Sequence, residues 1–448
     1  PLYLLEGVYA VASEIEFTNN VQLYGGFVGT ESSYADRPLH TGDVFNPFIN
    51  TSNLDGGGAI RILSASKALT LHRVVFQNGT FTAGAATQVG GGAVKAAGGN
   101  LTILDCEFTG NQALNSSGGA LYVAPGARVN IDTSMFTNNM AVTGGSEDVG
   151  TGGAIKVDGN PGPTIDDCIF IGNSAQLGGA IDYDTTSPPA CFRSAFLNNH
   201  AEQDGGAMYQ QGNGSAVAID CFFDTNDANN NGGAIGSSNA PWPNSNYFTW
   251  ISGNVFSNNR TLSGNGGAVF HGFGYIAYVY HNTFHANAAG STTEADGLVD
   301  GAWIHGRGGG TAQVFQNNLF TGHLDTALHV EGFSGANMAV DSNLFAGQAA
   351  GGPNDYSFAN TPALADLNYM TDTANNYIDA AGKNFDLVAT APARDAGSLN
   401  VYKGVDPTTD TDLNHDRLGR PRTGSSFDLG AYEFQDFTAV TDWMIFRD

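Results

Sequence analysis

Lysine and tyrosine side chains recur at one position of a repeated motif, where they could do acid–base chemistry or hold sugar rings. Each follows Gly-Gly-Ala and one apolar residue, and the set is Lys95, Tyr122, Lys156 and Tyr209. We call this set the Lys/Tyr ladder, and Arg61 stands at the same place in the first copy of the motif. A lysine can remove the proton beside a substrate carboxylate, as polysaccharide lyases require. The ladder is therefore either a carbohydrate- or partner-binding stripe or a surface ladder that keeps sheets of neighbouring molecules apart.

Alternate oxygen ligands near the end of the chain could surround a hard cation such as Ca²⁺. The four residues are Asp410, Asp412, Asn414 and Asp416. His415 occupies the glycine place of a helix-loop-helix calcium site, and Pro421 occupies the place of its terminal glutamate. The alternatives are a non-helical calcium turn and a plain acidic loop, and no other cofactor is expected.

Two further groups have catalytic residue types without catalytic spacing. Asp166 and Asp167 are adjacent and could serve as general acid and base, but a solvated turn explains them as well. Histidines concentrate late in the chain, and we expect His271 and His305 to occupy equivalent positions of neighbouring repeats. Stacked imidazoles at a turn explain these histidines without a metal. The Gly-His-Gly and Arg-x-Lys motifs of pectin hydrolases are both missing from the sequence.

Two repeated marks show which elements must position these side chains. The first is Gly-Gly-Ala followed by an apolar residue, with alanines at Ala59, Ala93, Ala120, Ala154, Ala180, Ala207, Ala234 and Ala268 and weaker copies at Ala302 and Ala327. The second is Phe-x-x-Asn, with phenylalanines at Phe76, Phe108, Phe136, Phe170, Phe196, Phe223, Phe256 and Phe284 and degenerate copies at Phe320 and Phe345. The repeat therefore has ten units, and the longer units carry loop insertions.

The apolar columns of these units predict a right-handed, single-stranded parallel β-helix with about three short strands per coil. Identical inward positions then stack at roughly 4.8 Å into ladders. We expect N-terminal coils over residues 1–55, the repeat β-helix over 56–348, and further coils with an irregular cap over 349–448. Each asparagine of the Phe-x-x-Asn mark is expected to bond stacked backbone and to tolerate left-handed geometry.

Composition excludes several classes of protein. The chain has 17 basic and 43 acidic residues and a net charge of −26, so it would repel nucleic acid. It has no run of eighteen apolar residues, which predicts no membrane span, and its start at Pro1 has no signal-peptide pattern. A surface poor in lysine suits an extracellular or outer-surface protein, and the four cysteines are expected to be buried, unbridged thiols.

The two repeated marks resemble the repeats of polymorphic outer-membrane proteins and related right-handed β-helix surface proteins. This resemblance covers most of residues 57–348. Residues 21–31 resemble the first coils of exported bacterial proteins that carry a choice-of-anchor region. Residues 384–387, 391–397 and 428–434 resemble the closing motifs of that region. The resemblance implies a β-helix fold and a surface location, and it implies no particular activity.

Together these observations favour a non-catalytic extracellular protein, either a surface adhesin or a self-assembling fibre subunit. Its expected partners are further copies of itself, joined head to tail or laterally, or a cell-surface polysaccharide. The alternatives are a polysaccharide lyase or glycoside hydrolase and a carbohydrate-binding β-helix, both acting through the Lys/Tyr ladder.

Overall fold

A computed structural model describes nineteen segments of the chain. These are residues 1–31, 51–84, 90–142, 150–159, 161–184, 190–211, 216–237, 248–271, 276–290, 299–305, 313–323, 326–331, 338–346, 356–359, 370–372, 376–397, 415–418, 420–422 and 427–433.

Within these segments the chain is all β and forms a right-handed parallel β-helix, which confirms the predicted fold. The described coils pass through three large parallel sheets, and seven of them also cross a fourth, smaller parallel sheet. We name them, in chain order, the aliphatic sheet, the Phe sheet, the short-strand sheet and the Gly-Ala sheet. Every strand pairs with the equivalent strand of the next coil, so the repeats seen in the sequence are stacked directly on one another.

The strands are short because a corner follows every few residues. The aliphatic sheet contains Leu2–Leu5, Val21–Phe27, Leu69–His72, Asn100–Leu104, Arg128–Asp132, Thr164–Asp166, Ala190–Phe192, Ala216–Ile219, Phe248–Ser252, Ile276–Tyr280, Gln313–Gln316 and Met338–Asp341. The Phe sheet contains Gly7–Ala10, Ser52–Asp55, Val74–Gln77, Glu107–Thr109, Met135–Thr137, Ile169–Ile171, Ala195–Leu197, Phe222–Asp224, Val255–Ser257, Thr283–His285, Leu319–Thr321, Leu344–Ala346 and Met370–Asp372. The short-strand sheet contains Thr80–Thr82, Gln112–Leu114, Met140–Val142, Ser174–Ala175, His200–Ala201, Asp227–Ala228 and Arg260–Thr261. The Gly-Ala sheet contains Ile15–Phe17, Leu63–Ala65, Val94–Ala96, Leu121–Val123, Ile155–Val157, Ile181–Tyr183, Met208–Gln210, Ile235–Ser237, Val269–His271, Val299–His305, Thr326–Glu331 and Tyr356–Ala359.

The short-strand sheet is a finding that the sequence patterns did not predict. Its strands have only two or three residues, and most present a single small inward side chain, such as Ala113, Ala141 or Ala175. So short a stretch shows no alternation of apolar and polar residues, which is the usual signal for a strand. The coils that cross this sheet therefore have four strands instead of three.

Phenylalanine rings fill the interior along the Phe sheet. The ten phenylalanines of the repeat lie directly opposite one another in register. From Phe76 to Phe345, adjacent ring centroids are 4.7–5.0 Å apart and the rings are nearly parallel. The predicted ladder is confirmed, and the coil spacing sets the ring spacing.

Buried asparagines form a second ladder at the bend after the Phe sheet. Its members are Asn111, Asn139, Asn173, Asn199, Asn226, Asn259 and Asn287. Each side-chain amide except the last donates to the Oδ1 atom of the next asparagine, at 2.9–3.0 Å. The expected bonding to stacked backbone is confirmed, but the expected left-handed geometry is wrong for these residues. The positive φ angles belong to the preceding residue, such as Asn138, Asn198 or Asn258, where the chain turns.

The four cysteines are buried and unbridged, as predicted. Cys106 and Cys168 alternate with serines in one inward column, and the amide of Cys106 donates to Ser134 Oγ at 3.1 Å. Burial raises the pKa of the Cys106 thiol to about 12, so it stays protonated and packs as a small apolar group.

The described C-terminal residues form a unit that we call the C-terminal module: 376–397, 415–418, 420–422 and 427–433. It contains the antiparallel strands Tyr377–Asp379 and Asn384–Leu387 and is otherwise irregular. Its apolar side chains pack on the outer face of the Phe sheet, in one cluster with Phe222, Val255 and Leu319. All three motifs that resemble a choice-of-anchor region contribute residues to this module.

Candidate functional site

The Gly-Ala sheet aligns the Lys/Tyr ladder on its outer face. In register, Lys95 lies opposite Tyr122, Tyr122 opposite Lys156, and Lys156 opposite Asp182, which is followed by Tyr209. The spacing of the Gly-Gly-Ala marks therefore predicted correctly that these residues lie in one line along the rod.

Arg61 does not belong to this line. The residue opposite Lys95 in the first repeat is Ser64, because the strand there begins at Leu63. The first Gly-Gly-Ala copy, residues 57–59, lies in a turn. It stands three residues earlier, relative to its strand, than the copy before Lys95. Arg61 instead pairs with Glu14 at 3.0 Å and lies over the ring of Phe81.

A polar cluster surrounds Lys156 at the centre of the ladder. Its ammonium lies 2.6 Å from Asp182 Oδ2, 3.3 Å from Asp158 Oδ1 and 3.2 Å from Gln211 Oε1. The hydroxyl of Tyr122 donates to Asp158 Oδ2 at 2.8 Å. Asp158 is a partner that the sequence patterns did not single out. Asp182 occupies the position after Lys156 in the Gly-Gly-Ala register, where the sequence placed it.

Most of the ladder is covered. Tyr122 is 3% exposed, Lys156 5% and Tyr209 6%, whereas Lys95 is half-buried with its ammonium 6.0 Å from the Tyr122 ring centre. The turns that precede each strand pass over this face: a Cβ atom at Gly118 would lie 3.3 Å from the Cβ atom of Lys156. Carbohydrate or partner binding by the four residues stays a prediction, and Lys95 has the most accessible side chain among them.

The electrostatics of the cluster favour fixed protonation states. Burial alone would lower the pKa of the Lys156 ammonium, but the carboxylates of Asp182 and Asp158 raise it above its usual value. Burial, and then the charge of Asp158, raise the pKa of Tyr122. Lys156 therefore stays charged and Tyr122 keeps its proton at neutral pH, so neither side chain is suited to act as a general base.

Replacing Lys156 by glutamine is expected to lower the free energy of unfolding by about 2 kcal/mol, because the buried Asp182 loses its cation. The matched control is Lys95→Gln, which removes a half-buried ammonium and should change stability by less than about 0.5 kcal/mol. Urea unfolding followed by circular dichroism measures both. Equal losses in the two variants would contradict the structural role assigned to Lys156.

The adjacent carboxylates Asp166 and Asp167 lie at the corner between the aliphatic and Phe sheets. Asp167 has a φ of +48°, as expected for a turn residue. Both carboxylates pair with the guanidinium of Arg193 on the next coil, and the distance from Arg193 Nε to Asp167 Oδ1 is 3.4 Å. The geometry is that of a charged turn, in agreement with the structural alternative.

Of the candidate calcium ligands, Asp410, Asp412 and Asn414 lie outside the described residues. Asp416 is buried in the C-terminal module, where its Oδ1 atom accepts hydrogen bonds from the amides of Leu418 and Arg420 at 2.9 and 2.8 Å. Its Oδ2 atom accepts from the Glu433 amide and the Arg420 guanidinium. Within the described segments no group of three or more His, Cys, Asp or Glu residues is arranged to hold a metal. The calcium turn stays a prediction.

The late histidines are distributed differently from the expectation. His271 lies opposite Ile304, so His305 is one position out of register and the two do not stack as predicted. His281 and His285 lie beneath the C-terminal module, where their rings contact Phe427 and Tyr377. The sequence did not predict that the C-terminal module covers His281 and His285.

Comparison with known families identifies the type of repeat. The family model of the Chlamydia polymorphic membrane protein repeat matches residues 105–124, which run from the corner at Asp105 through Phe108 and Asn111 to the strand Leu121–Val123. No curated protein matches the chain. In the described residues, no helix has the length and apolar character needed to cross a membrane. The chain is therefore a right-handed parallel β-helix in which residues 105–124 are similar to the polymorphic membrane protein repeat, and this similarity points to a protein of the bacterial surface.

Proposed function

We propose that this chain is a non-catalytic extracellular structural protein, an adhesin or fibre subunit, whose coils assemble head to tail with those of a second copy. The single observation that carries the proposal is the parallel register of all the stacked coils, because the strands of a second copy can continue such a stack in the same direction. In the described part of the chain ten large apolar residues are exposed, and five of them lie on the first described coil: Leu2, Tyr3, Leu5, Val8 and Tyr9. Exposed apolar side chains grouped in this way are typical of an interaction surface.

The strand edges support the same arrangement. Among the described strands, Leu2–Leu5, Gly7–Ala10 and Ile15–Phe17 are the first members of three sheets, and each has one paired neighbour there. At the opposite edges of these sheets lie Met338–Asp341 and Tyr356–Ala359, together with Met370–Asp372. Because the described strands of these three sheets are parallel throughout, Met338–Asp341, Tyr356–Ala359 and Met370–Asp372 of one copy have the direction needed to continue the coil that begins at Leu2 in another.

The chemistry of the Lys/Tyr ladder supports presentation of a rigid face over catalysis. Lys156 is neutralised by two carboxylates, and Tyr122 holds its proton. Lys95 remains the most accessible cation of the ladder, so a cell-surface polysaccharide is the alternative partner of this face. Interior ladders of phenylalanine and asparagine give the rod the stiffness that an adhesin or fibre subunit needs.

Replacing Val8 by aspartate is expected to weaken self-association at least tenfold, because a charge would be desolvated at the junction between copies. The matched control is Leu262→Asp, since Leu262 is 54% exposed and Val8 65%, but Leu262 lies away from the first coil. Sedimentation velocity over a concentration series, with electron micrographs of the same samples, measures the effect. Dispersed monomers of the unaltered protein at high concentration, or equal weakening by both substitutions, would contradict head-to-tail assembly.

A further inference from the structure

The C-terminal module is held on the side of the rod by a small set of polar contacts around an apolar patch. Lys383 Nζ lies 2.5 Å from Asp224 Oδ1, and the hydroxyl oxygens of Tyr377 and Thr321 are 2.9 Å apart. The patch includes Phe222, whose ring centroid is 6.4 Å from that of Phe385. These contacts join residues far apart in sequence, so the module can detach without breaking the ladders of the rod.

One histidine is buried only because the module covers it. His281 occupies the corner position between the aliphatic and Phe sheets, with a φ of +53°. In upstream coils the side chain at the same corner is exposed, at Thr133, Asp167 and Arg193, or half-buried, at Asp105 and Asp220. His281 is 1% exposed, and its ring meets that of Phe427 edge to face at 5.3 Å. At this coil the corner side chain is an imidazole, and the module encloses it.

A second histidine lies four residues further on, on the outer face of the Phe sheet. The ring of His285 meets Tyr377 and Phe385 edge to face, with centroid distances of 5.6 and 5.4 Å. Its Nδ1 atom lies 2.9 Å from Thr321 Oγ1. Both of these aromatic rings belong to the module.

The charges around both histidines oppose their protonation while the module is docked. Burial and then the charge of Arg422 lower the pKa of His281, and a hydrogen bond to the Asp428 main chain opposes this shift. Burial lowers the pKa of His285 to about 4, and the charges of His323 and Lys383 add to the effect while Asp224 opposes it. Arg422 and Lys383 both belong to the module, so detachment removes the two cations as well as the cover.

We propose that the C-terminal module is an acid-released latch, in which protonation of His281 and His285 detaches the module and uncovers the apolar outer face of the Phe sheet. The uncovered face includes Phe222, Val255 and Leu319. This device is separate from the proposed head-to-tail assembly, because the first coil takes no part in it.

The direction and size of the effect follow from proton linkage. When the module is detached, both histidines of the rod would return to an ordinary pKa of about 6.5, which lies above their docked values. The docked contact is therefore at full strength above about pH 6.5 and weakens as the pH falls toward 4. Between pH 7.5 and 5.0, titration of His285 alone raises the opening equilibrium about 30-fold, and titration of His281 acts in the same direction.

Amide hydrogen exchange of the full chain at pH 7.5 and 5.0 tests the latch. Peptides within 376–397 report on opening, and peptides around Glu107–Thr109 serve as a reference within the rod, after correction for the intrinsic pH dependence of exchange. In the unaltered protein we expect at least about 30-fold more opening of the module at pH 5.0, with no change in the reference.

Variants separate the two histidines from other acid effects. The double variant His281→Asn, His285→Gln should lose the pH response, since neither amide titrates and asparagine tolerates the corner geometry. The control His200→Gln should keep it, because His200 pairs with Asp227 in the short-strand sheet, away from the module. An unaltered protein whose module opens equally at both pH values would overturn the proposal, as would a full response in the double variant. If the module of the double variant does not dock, the pH dependence of exchange in the unaltered protein still tests the latch.

Discussion

Replacing Phe170 by alanine is expected to lower the free energy of unfolding by about 3–5 kcal/mol. The side chain is fully buried, and its ring stacks between Phe136 and Phe196 with centroid distances of 4.9 and 4.8 Å. Its removal would leave a cavity that neighbouring coils cannot fill, because their backbone spacing is fixed by the sheet hydrogen bonds. The loss would also weaken both adjacent coil interfaces, on which the stability of a stacked repeat depends.

Urea unfolding followed by far-ultraviolet circular dichroism measures this effect. The control is Ile171→Ala at the next position, where the side chain points to the outer face and is half-buried. We expect the control to cost about 1 kcal/mol or less. If both substitutions cost the same, position 170 does not lie in the interior and the assigned register of the Phe sheet is wrong.

Replacing Asn173 by alanine is expected to cost about 3 kcal/mol, although no apolar packing is lost. Its Oδ1 atom accepts bonds from the backbone and side-chain amides of Asn139, both at 3.0 Å. Its own amide donates to the Phe136 carbonyl and to Asn199 Oδ1, both at 2.9 Å. All of these groups are buried, so alanine would leave donors and acceptors without partners.

The control for this substitution is Asn130→Ala, because Asn130 is exposed on the outer face of the aliphatic sheet. It should change stability by less than about 0.5 kcal/mol. The same urea experiment applies to both variants. A small loss for Asn173→Ala would show that the buried asparagines are dispensable and that the ladder does not hold the bend.

The features that the sequence predicted are those that repeat in every coil. Phe108, Phe136 and Phe170 lie 15, 16 and 16 residues after the alanine of the preceding Gly-Gly-Ala mark, so their stacking follows from the repeat itself. The alignment of Lys95, Tyr122 and Lys156 was predictable for the same reason. Periodic positions in a solenoid have equivalent surroundings, and one correct assignment extends to all of them.

The features that escaped prediction depend on contacts between distant parts of the chain. The turn over Lys156 hides a side chain that strand alternation alone assigns to the surface. Arg61 does not align with the ladder because the strand of the first unit begins three residues later than in the other units. The sequence of a single unit does not show where its strand begins. His281 is buried by Phe427, more than a hundred residues away, and no local pattern contains that information.

The most direct test of the account is a crystal structure of the full chain at a resolution that shows ring orientations. We expect Phe108, Phe136 and Phe170 to lie one above another in nearly parallel planes, with centroid distances of 4.7 and 4.9 Å. The side-chain amide of Asn139 should donate to Asn173 Oδ1 across the two coils that carry Phe136 and Phe170. Electron density that places these rings on separate faces, or coils that do not stack in parallel register, would contradict the account.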